Sequence, residues 1–568
     1  MSEQKRKNSF VVQAGILAAA GMLVKVISLI YRSPLLSILG LEGNNYYTAA
    51  INMYTIILLI SSYSIPSAIS KVIAQRLAFR EYRNAQRVFQ CAVFYVLIVG
   101  GAASIITFVG APYFVSKNPN AVTALRVLSP TIFFSGFLGV FRGYFQAHRS
   151  MVHTSISQVL EQIMNAAVSI LAAYLLIRSV ADADTTTQAI YGSAGSALGT
   201  GAGVLTGLLF MLWMYGINRG IIRKRIKHDR SEHLESYRDI VKVIFTIVTP
   251  FILSTFIYNC STVVNMSIYY HVMDYKLVDA ITYGNQYGIF ATQAVSVVNI
   301  PIAIASAMSS ATIPTVSTTF ARKEYGKTRE QITKAIHMTM LISIPAMVGM
   351  AVLAKPIMQF IFPQKESLDM ASGLLAALAV TVVLYGLSTL TNAILQGIGK
   401  VNSPVIHAVI ALAVQVAGLV ALLLFTDMDT YALAAANIIY SLVMCILNQA
   451  SVAKHLDYHM DYMRIFIKPG FAALVMGAVA YGVYKGIYLL LPVNRVVLLI
   501  AIAVGAVVYF VVLLKIGGVS ETELRAFPKG AMLVHYAERL HLLRDETEMP
   551  QKKKRKKKKR RRKRKRRL

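Results

Sequence analysis

Lys25 and Arg32 are cations inside an apolar stretch, 10–39, of a chain otherwise built from apolar runs. Seven residues is close to two helical turns, so both side chains leave one face of a helix. A charge at bilayer depth costs about 2.5–3.5 kcal/mol even on insertion scales, and it persists where it faces a water-filled cavity or a partner. Other charges sit in or near apolar runs of the first half. Lys71 lies near the inner end of the second run, and Arg126 and Arg142 open and close the fourth. Glu161 is the one acid deep in any run, on a face with Gln158, Gln162 and Asn165. The second half offers neutral groups instead: Asn259 and Asn265, then Asn285, Gln286, Gln293 and Asn299. A cationic lobe is therefore expected opposite a hydrogen-bonding wall. Several converging cations suit a diphosphate, because Arg forms a bidentate fork with phosphate oxygens and Lys acts as a point charge.

Each of these residues also has a plainer reading. Arg126 and Arg142 lie near span ends and are read as snorkelling to the headgroups. Lys71 fits either reading, while Lys25 is too central to snorkel easily. Glu161 is either a cavity residue or a structural bridge to Lys25 or Arg32. The polar residues of the eighth run either face the cavity or hold helices together. The candidate binding set is Lys25, Arg32, Lys71, Glu161, Asn265 and Gln293.

Elements of one kind must position these groups. The 568 residues are 56% hydrophobic and only 15% charged, with a mean hydropathy of +0.55. Soluble domains carry roughly 25% charged residues. Reading for runs of roughly 20 apolar residues gives fourteen transmembrane spans between 10 and 515, an all-α polytopic membrane protein. The N-terminal run reads as an uncleaved first span rather than a signal peptide, because the apolar pattern resumes beyond Lys25. Loops near 76–87, 219–230, 322–334 and 454–468 are basic, whereas 182–184 and 427–429 are acidic. This positive-inside pattern puts both termini in the cytoplasm.

The chain repeats itself. REYRNAQR begins at Arg80 and KEYGKTRE at Lys323; FQAHRS begins at Phe145 and LQGIGK at Leu395. The offset runs from 243 to 250. Six spans per half is an even number, so the two lobes are parallel repeats with a site expected between them. The expected organisation is a first lobe 1–218, a cytoplasmic linker 219–239, a second lobe 240–454, two extra helices in 465–515, and a cytoplasmic stretch with a polybasic tail in 516–568. The tail holds sixteen of the 58 basic residues, so half of the net charge of +32 belongs to it. Such a block cannot fold on itself. It is expected either to remain solvated or to adhere to anionic lipid, at about 1 kcal/mol per basic residue near the surface.

Enzymatic motifs are missing. There is no GxxxxGK[ST] and no HExxH, and the three cysteines show neither CxxC nor metal spacing. No cofactor and no metal site are expected. Outer loops are short, which leaves little room for a loop-borne catalytic site.

SIPSAISK at 64–71, FRGYFQ at 141–146 and SISQVLEQI at 155–163 resemble the stage V sporulation protein B branch of the multidrug/oligosaccharidyl-lipid/polysaccharide flippase superfamily. That branch includes lipid II flippases of Gram-positive bacteria. The resemblance covers about residues 8–515 and implies a V-shaped, two-lobed carrier working by alternating access in a bacterial plasma membrane; a monomer is expected. Its cargo would be an undecaprenyl-diphosphate-linked oligosaccharide, with the diphosphate in the central cavity and the polyprenyl tail along the two extra helices. Lys25 and Arg32 match the family's paired first-helix cations. Lipid II for peptidoglycan synthesis is the expected cargo. Teichoic-acid or capsular precursors, drug/cation antiport and a non-transporting scaffold for wall synthesis remain as alternatives. Some relatives bind sodium through acids on spans 7 and 11; here those spans carry Asn259, Asn265, His407 and Gln415. Coupling to membrane potential or to a cation therefore stays open.

Overall fold

The computed structural model describes residues 3–63, 65–148, 150–229, 234–400 and 402–519, with side chains from Ala19 onward except for 244–260 and isolated positions. The amphipathic stretch near 520–545 and the basic run 552–567 lie outside the described residues, as does the side chain of Asn259. No strand occurs among the described residues. Apolar chain in lipid must satisfy its backbone internally, and helices do so within each segment.

The first half contains α1 (Glu3–Leu58), α2 (Ile65–Ala78), α3 (Tyr82–Phe114), α4 (Val122–Ala147), α5 (Met151–Ser179) and α6 (Thr185–Lys227). The second contains α7 (Tyr237–Tyr275), α8 (Ala280–Gly288), α9 (Val295–Ala321), α10 (Tyr325–Val352), α11 (Ala354–Ile361), α12 (Lys365–Gly397), α13 (Asn402–Phe425) and α14 (Thr430–Leu456). Then come α15 (Lys468–Leu490) and α16 (Asn494–Lys515). Short π-helical turns, Leu59–Tyr63 and Ile289–Ala294, join α1 to α2 and α8 to α9.

Twelve stretches are long and apolar enough to cross a bilayer among the described residues, against the fourteen expected. The first of them, Ala19–Ser61, holds most of the expected first span and much of the second in one 43-residue stretch. It is not straight. Gly40 has φ 67°, ψ −178°, a backbone conformation open to glycine and costly for other residues. Tyr31 and Ile51 line one pocket, although twenty residues of straight helix would set them about 30 Å apart. Arg32 and Asn44, on either side of Gly40, both bond Thr292. The chain folds back on itself at Gly40, and α1 is two limbs. The expected seventh span falls in α7, which is not among the twelve, and its side chains at 244–260 lie outside those described.

The duplication is visible in the turns. Arg80 and Lys323 both take positive φ, 64° and 58°. The amide of Glu81 donates to Arg76 O and that of Glu324 to Thr319 O, each at 3.0 Å. The next turn repeats as well: Ser150 N donates to Phe145 O and Lys400 N to Leu395 O. Equivalent turns recur at the offsets read from the letters.

Close packing in the first half rests on small residues, as expected where helix association gains little from hydrophobicity. A Cβ at Gly195 would lie 2.5 Å from Ala173 N, and one at Gly199 only 2.0 Å from Ser169 Oγ. α6 is thus pressed against α5. It also runs on to Lys227, nine residues into the segment expected to be linker. Glu235, further along that segment, is clasped to the first half. Arg76 donates to both carboxylate oxygens of Glu235, at 3.2 and 3.0 Å, and Arg87 donates to the Glu235 carbonyl at 2.6 Å. α7 begins among first-half side chains, with Ile240 fully buried there, and ends in the second-half core with Met266 and Tyr269.

The chain divides into two compact units, 1–460 and 461–568. Within the second, α15 packs on α16, where Gly505 approaches Ala480 and Met476. Lys468 Nζ donates to Gly517 O at 2.6 Å, satisfying a carbonyl just past the end of α16.

Candidate functional site

Lys25, Ser28 and Arg32 share one face of the first limb of α1, at the i, i+3, i+7 spacing that a helix stacks on one side. Opposite them are Ser296 and Asn299 of α9, and the five polar residues with Leu29 and Ile300 line a pocket of about 310 Å³. Arg32 is the link between the halves. Its Nη1 donates to Thr292 O at 3.4 Å and, through a short contact, to Ser296 Oγ. Thr292 lies in the π-helical turn, a distortion that re-aims backbone groups and is frequent at functional sites. Its hydroxyl donates to Gly288 O at 2.7 Å and accepts from Asn44 Nδ2 at 3.0 Å.

Beyond Arg32 a second pocket of about 450 Å³ lies between the two limbs of α1, with Thr292 and Phe362 on its far side. No Asp or Glu lines either pocket. Two cations thus meet hydroxyl and amide groups, with no carboxylate among the described lining residues. A unit charge pair at 4 Å is worth about 4 kcal/mol at an effective dielectric near 20, so an anion entering here gains what the protein has not already supplied.

The halves also meet at the Gly40 end. A Cβ at Gly284 would lie 2.3 Å from Asn45 Nδ2, so only glycine lets Asn45 wedge against α8. Asn45 Oδ1 accepts from Asn118 Nδ2 at 3.1 Å and from Tyr270 OH at 3.3 Å. Beside it Lys117 forms an ion pair with Asp274, which also accepts from Tyr283 OH at 2.9 Å.

The expected residues separate. Lys25 and Arg32 come together, with Asn299 of the expected neutral wall. Lys71 is exposed on α2 and lines neither pocket. Glu161 does not bridge to Lys25 or Arg32. It pairs with Arg142 Nη2 at 2.7 Å, while Arg142 Nε donates to Ser157 Oγ at 2.8 Å. This corrects both residues: only three positions separate the end of α4 from the start of α5, and neighbours so close in sequence bring their near ends together. Arg142 is a bridged residue, not a snorkelling one. Arg126 lies over the Phe108 ring at 5.7 Å. Gln293 is fully buried and exchanges hydrogen bonds with Ser367 Oγ at 3.2 Å, so it holds the π turn to α12 and does not line the pocket. Asn265 is buried at 2% exposure, lines neither pocket, and its Oδ1 accepts no hydrogen bond among the described residues. Gln415 accepts from Ser261 Oγ at 2.9 Å and His407 Nδ1 lies 2.7 Å from Asn448 Oδ1. Ser28, Asn44, Thr292 and Ser296 were not singled out from the sequence. Their signal was the spacing of Thr292, Ser296 and Asn299, four and three residues apart on one helical face.

The architecture is that of known membrane carriers. A solved structure of the lipid II flippase MurJ in an inward closed conformation matches with a TM-score of 0.64 at 16% identity, covering 87% of this chain and 97% of that one. An inward-facing multidrug-resistance transporter of the MATE family, in the MOP superfamily, matches at 0.59 and 18% identity, covering 78% and 98%. In sequence, the lipid II flippase MurJ of Bacillus subtilis (strain 168) is 23% identical over 497 residues, 84% of this chain and 87% of its own. Stage V sporulation protein B of the same organism is 22% identical over 540 residues, 92% and 98%. The profile of the family described as Lipid II flippase MurJ matches residues 78–498. The chain belongs to that family. It is a multi-pass membrane transporter with a flippase role, not an enzyme.

Proposed function

We propose that this transporter carries an undecaprenyl-diphosphate-linked oligosaccharide, lipid II for peptidoglycan synthesis, across a bacterial plasma membrane. The observation that carries the reading is the pocket in which Lys25 and Arg32 meet Ser296 and Asn299 with no carboxylate among its lining residues. Two cations match a diphosphate in charge, and hydroxyls and an amide supply neutral hydrogen bonds to its remaining oxygens. A drug/cation antiporter would want the opposite polarity. In this reading the chain crosses the membrane fourteen times with both termini inside. Its lobes, 1–218 and 240–454, move about the pocket by alternating access, and the Asn45 and Lys117–Asp274 contacts break to open one side. The two helices in 465–515 take the polyprenyl tail, and the basic tail adheres to anionic lipid. Membrane potential drives the return of the empty, net-positive pocket, since one charge crossing 100 mV is worth about 2.3 kcal/mol.

The test is complementation of a strain depleted of its lipid II flippase. The native chain should restore growth. Lys25→Ala and Arg32→Ala should each lower transport of fluorescent lipid II in proteoliposomes by about 10–100-fold, about 1.4–2.7 kcal/mol, part of one screened charge pair. Their expression should remain normal. Full activity of both variants would end the reading, as would transport indifferent to an imposed potential for its voltage clause.

A further inference from the structure

Resting on that reading, we infer that the pocket between the two limbs of α1 is the subsite for the first sugar ring of the cargo. Arg32 lines both pockets. A diphosphate held between Lys25 and Arg32 therefore has the second pocket on the other side of Arg32, within reach of a group bonded to one end of it. That group is either the sugar or the first isoprene unit. The lining chooses between them.

An isoprene unit asks for unbroken apolar surface. This pocket is mixed. Tyr31, Tyr47 and Phe362 present aromatic rings beside three aliphatic side chains, while Asn44, Thr292 and Arg32 present polar groups. A pyranose ring has the matching anatomy: a C–H face that packs on aromatic carbon and a rim of hydroxyls and an acetamido group that need planar donors and acceptors. Asn44 is set for that rim. Its Nδ2 is committed to Thr292 Oγ1, so its orientation is locked. No described residue donates to its Oδ1, which leaves that oxygen to accept from a ligand hydroxyl or amide. Tyr47 is likewise fixed, its hydroxyl 3.1 Å from Thr200 Oγ1. Its lining is of the kind small-molecule sites show, mostly apolar with a few placed polar groups. The fold-back at Gly40 makes the pocket, since its walls come from both limbs, so recognition of the sugar and the bend of α1 are one feature.

Binding of two lipids to the full-length purified chain, titrated by native mass spectrometry, tests this. One is undecaprenyl diphosphate; the other is the same lipid bearing a single N-acetylhexosamine. The native chain should prefer the glycosylated lipid by about tenfold. Asn44→Ala, which removes the acceptor, and Ile51→Phe, which fills the space, should each abolish that preference while leaving the bare lipid within about twofold. Retained binding of the bare lipid also certifies that each variant is folded. The inference is overturned if both variants weaken the two lipids equally, which would make the pocket an isoprene site or a structural support, or if neither variant changes the preference. A native chain that binds neither lipid would instead refute the flippase reading itself.

Discussion

The Arg142–Glu161 pair allows a sharp test, because it separates a structural bridge from a transport residue. Their side chains are 14% and 28% exposed, and Arg142 Nη2 lies 2.7 Å from Glu161 Oε2. Exposed pairs contribute about 0.2–1 kcal/mol, whereas removing one partner of a buried pair costs about 3–5 kcal/mol, because the other charge is left unpaired. This pair lies between those limits. Glu161→Gln keeps the shape and removes the charge, stranding Arg142, and should cost about 1–2 kcal/mol after discounting for partial exposure. Arg142→Gln should cost a similar amount. The double variant should recover part of the loss, with a coupling of about 1 kcal/mol. Thermal unfolding of the four purified proteins, monitored by circular dichroism, measures the cycle, and lipid II flipping by each is measured alongside. Additivity within about 0.5 kcal/mol would mean that the two side chains are not coupled and would refute the assignment. So would abolished flipping by Glu161→Gln at unchanged stability, since that would return Glu161 to the cation pocket.

Close contacts give three further expected outcomes. Gly199→Val should fail to accumulate in the membrane, because a Cβ there would lie 2.0 Å from Ser169 Oγ and 2.4 Å from its amide, and backbone cannot yield; a normal yield of folded protein would contradict the α5–α6 packing. Gly40→Ala should cost about 1–3 kcal/mol from backbone strain alone, since nothing lies within 4 Å of the added carbon; an unfolding midpoint untouched by the substitution would argue against the fold-back. Cysteines at Lys117 and Asp274, joined by a short bifunctional thiol reagent, should block transport by pinning the halves together at the Gly40 end; undiminished flipping after complete cross-linking would show that this contact need not break.

Much of the architecture was legible because lipid imposes a one-dimensional rule. A bilayer admits only segments that satisfy their own backbone, so apolar runs of the right length become helices. The turns at Arg80 and Lys323 were readable from matching motifs, since the same local letters close the same hydrogen bonds. Lys25 and Arg32 stood out because charge at depth needs a reason. Gln293 and Asn265 show where that logic ran out. Their residue types were suited to a site, but rotation about the helix axis decides what they face, and a π turn at Ile289–Ala294 shifts that rotation. Thr292 and Ser296 reach Arg32, while Gln293 is sent into the core.

Composition, hydropathy and the duplicated turns determined that this is a helical membrane protein with a cationic first half, because those properties are additive along the chain. Partnership is not additive. Which half meets Arg32, that Glu161 answers to Arg142, and that the first helix folds back at Gly40 to shape a second pocket were decided by contacts between residues far apart in sequence, 264 positions for Arg32 and Ser296. Such contacts depend on the docking of whole helices, and no local pattern carries that information.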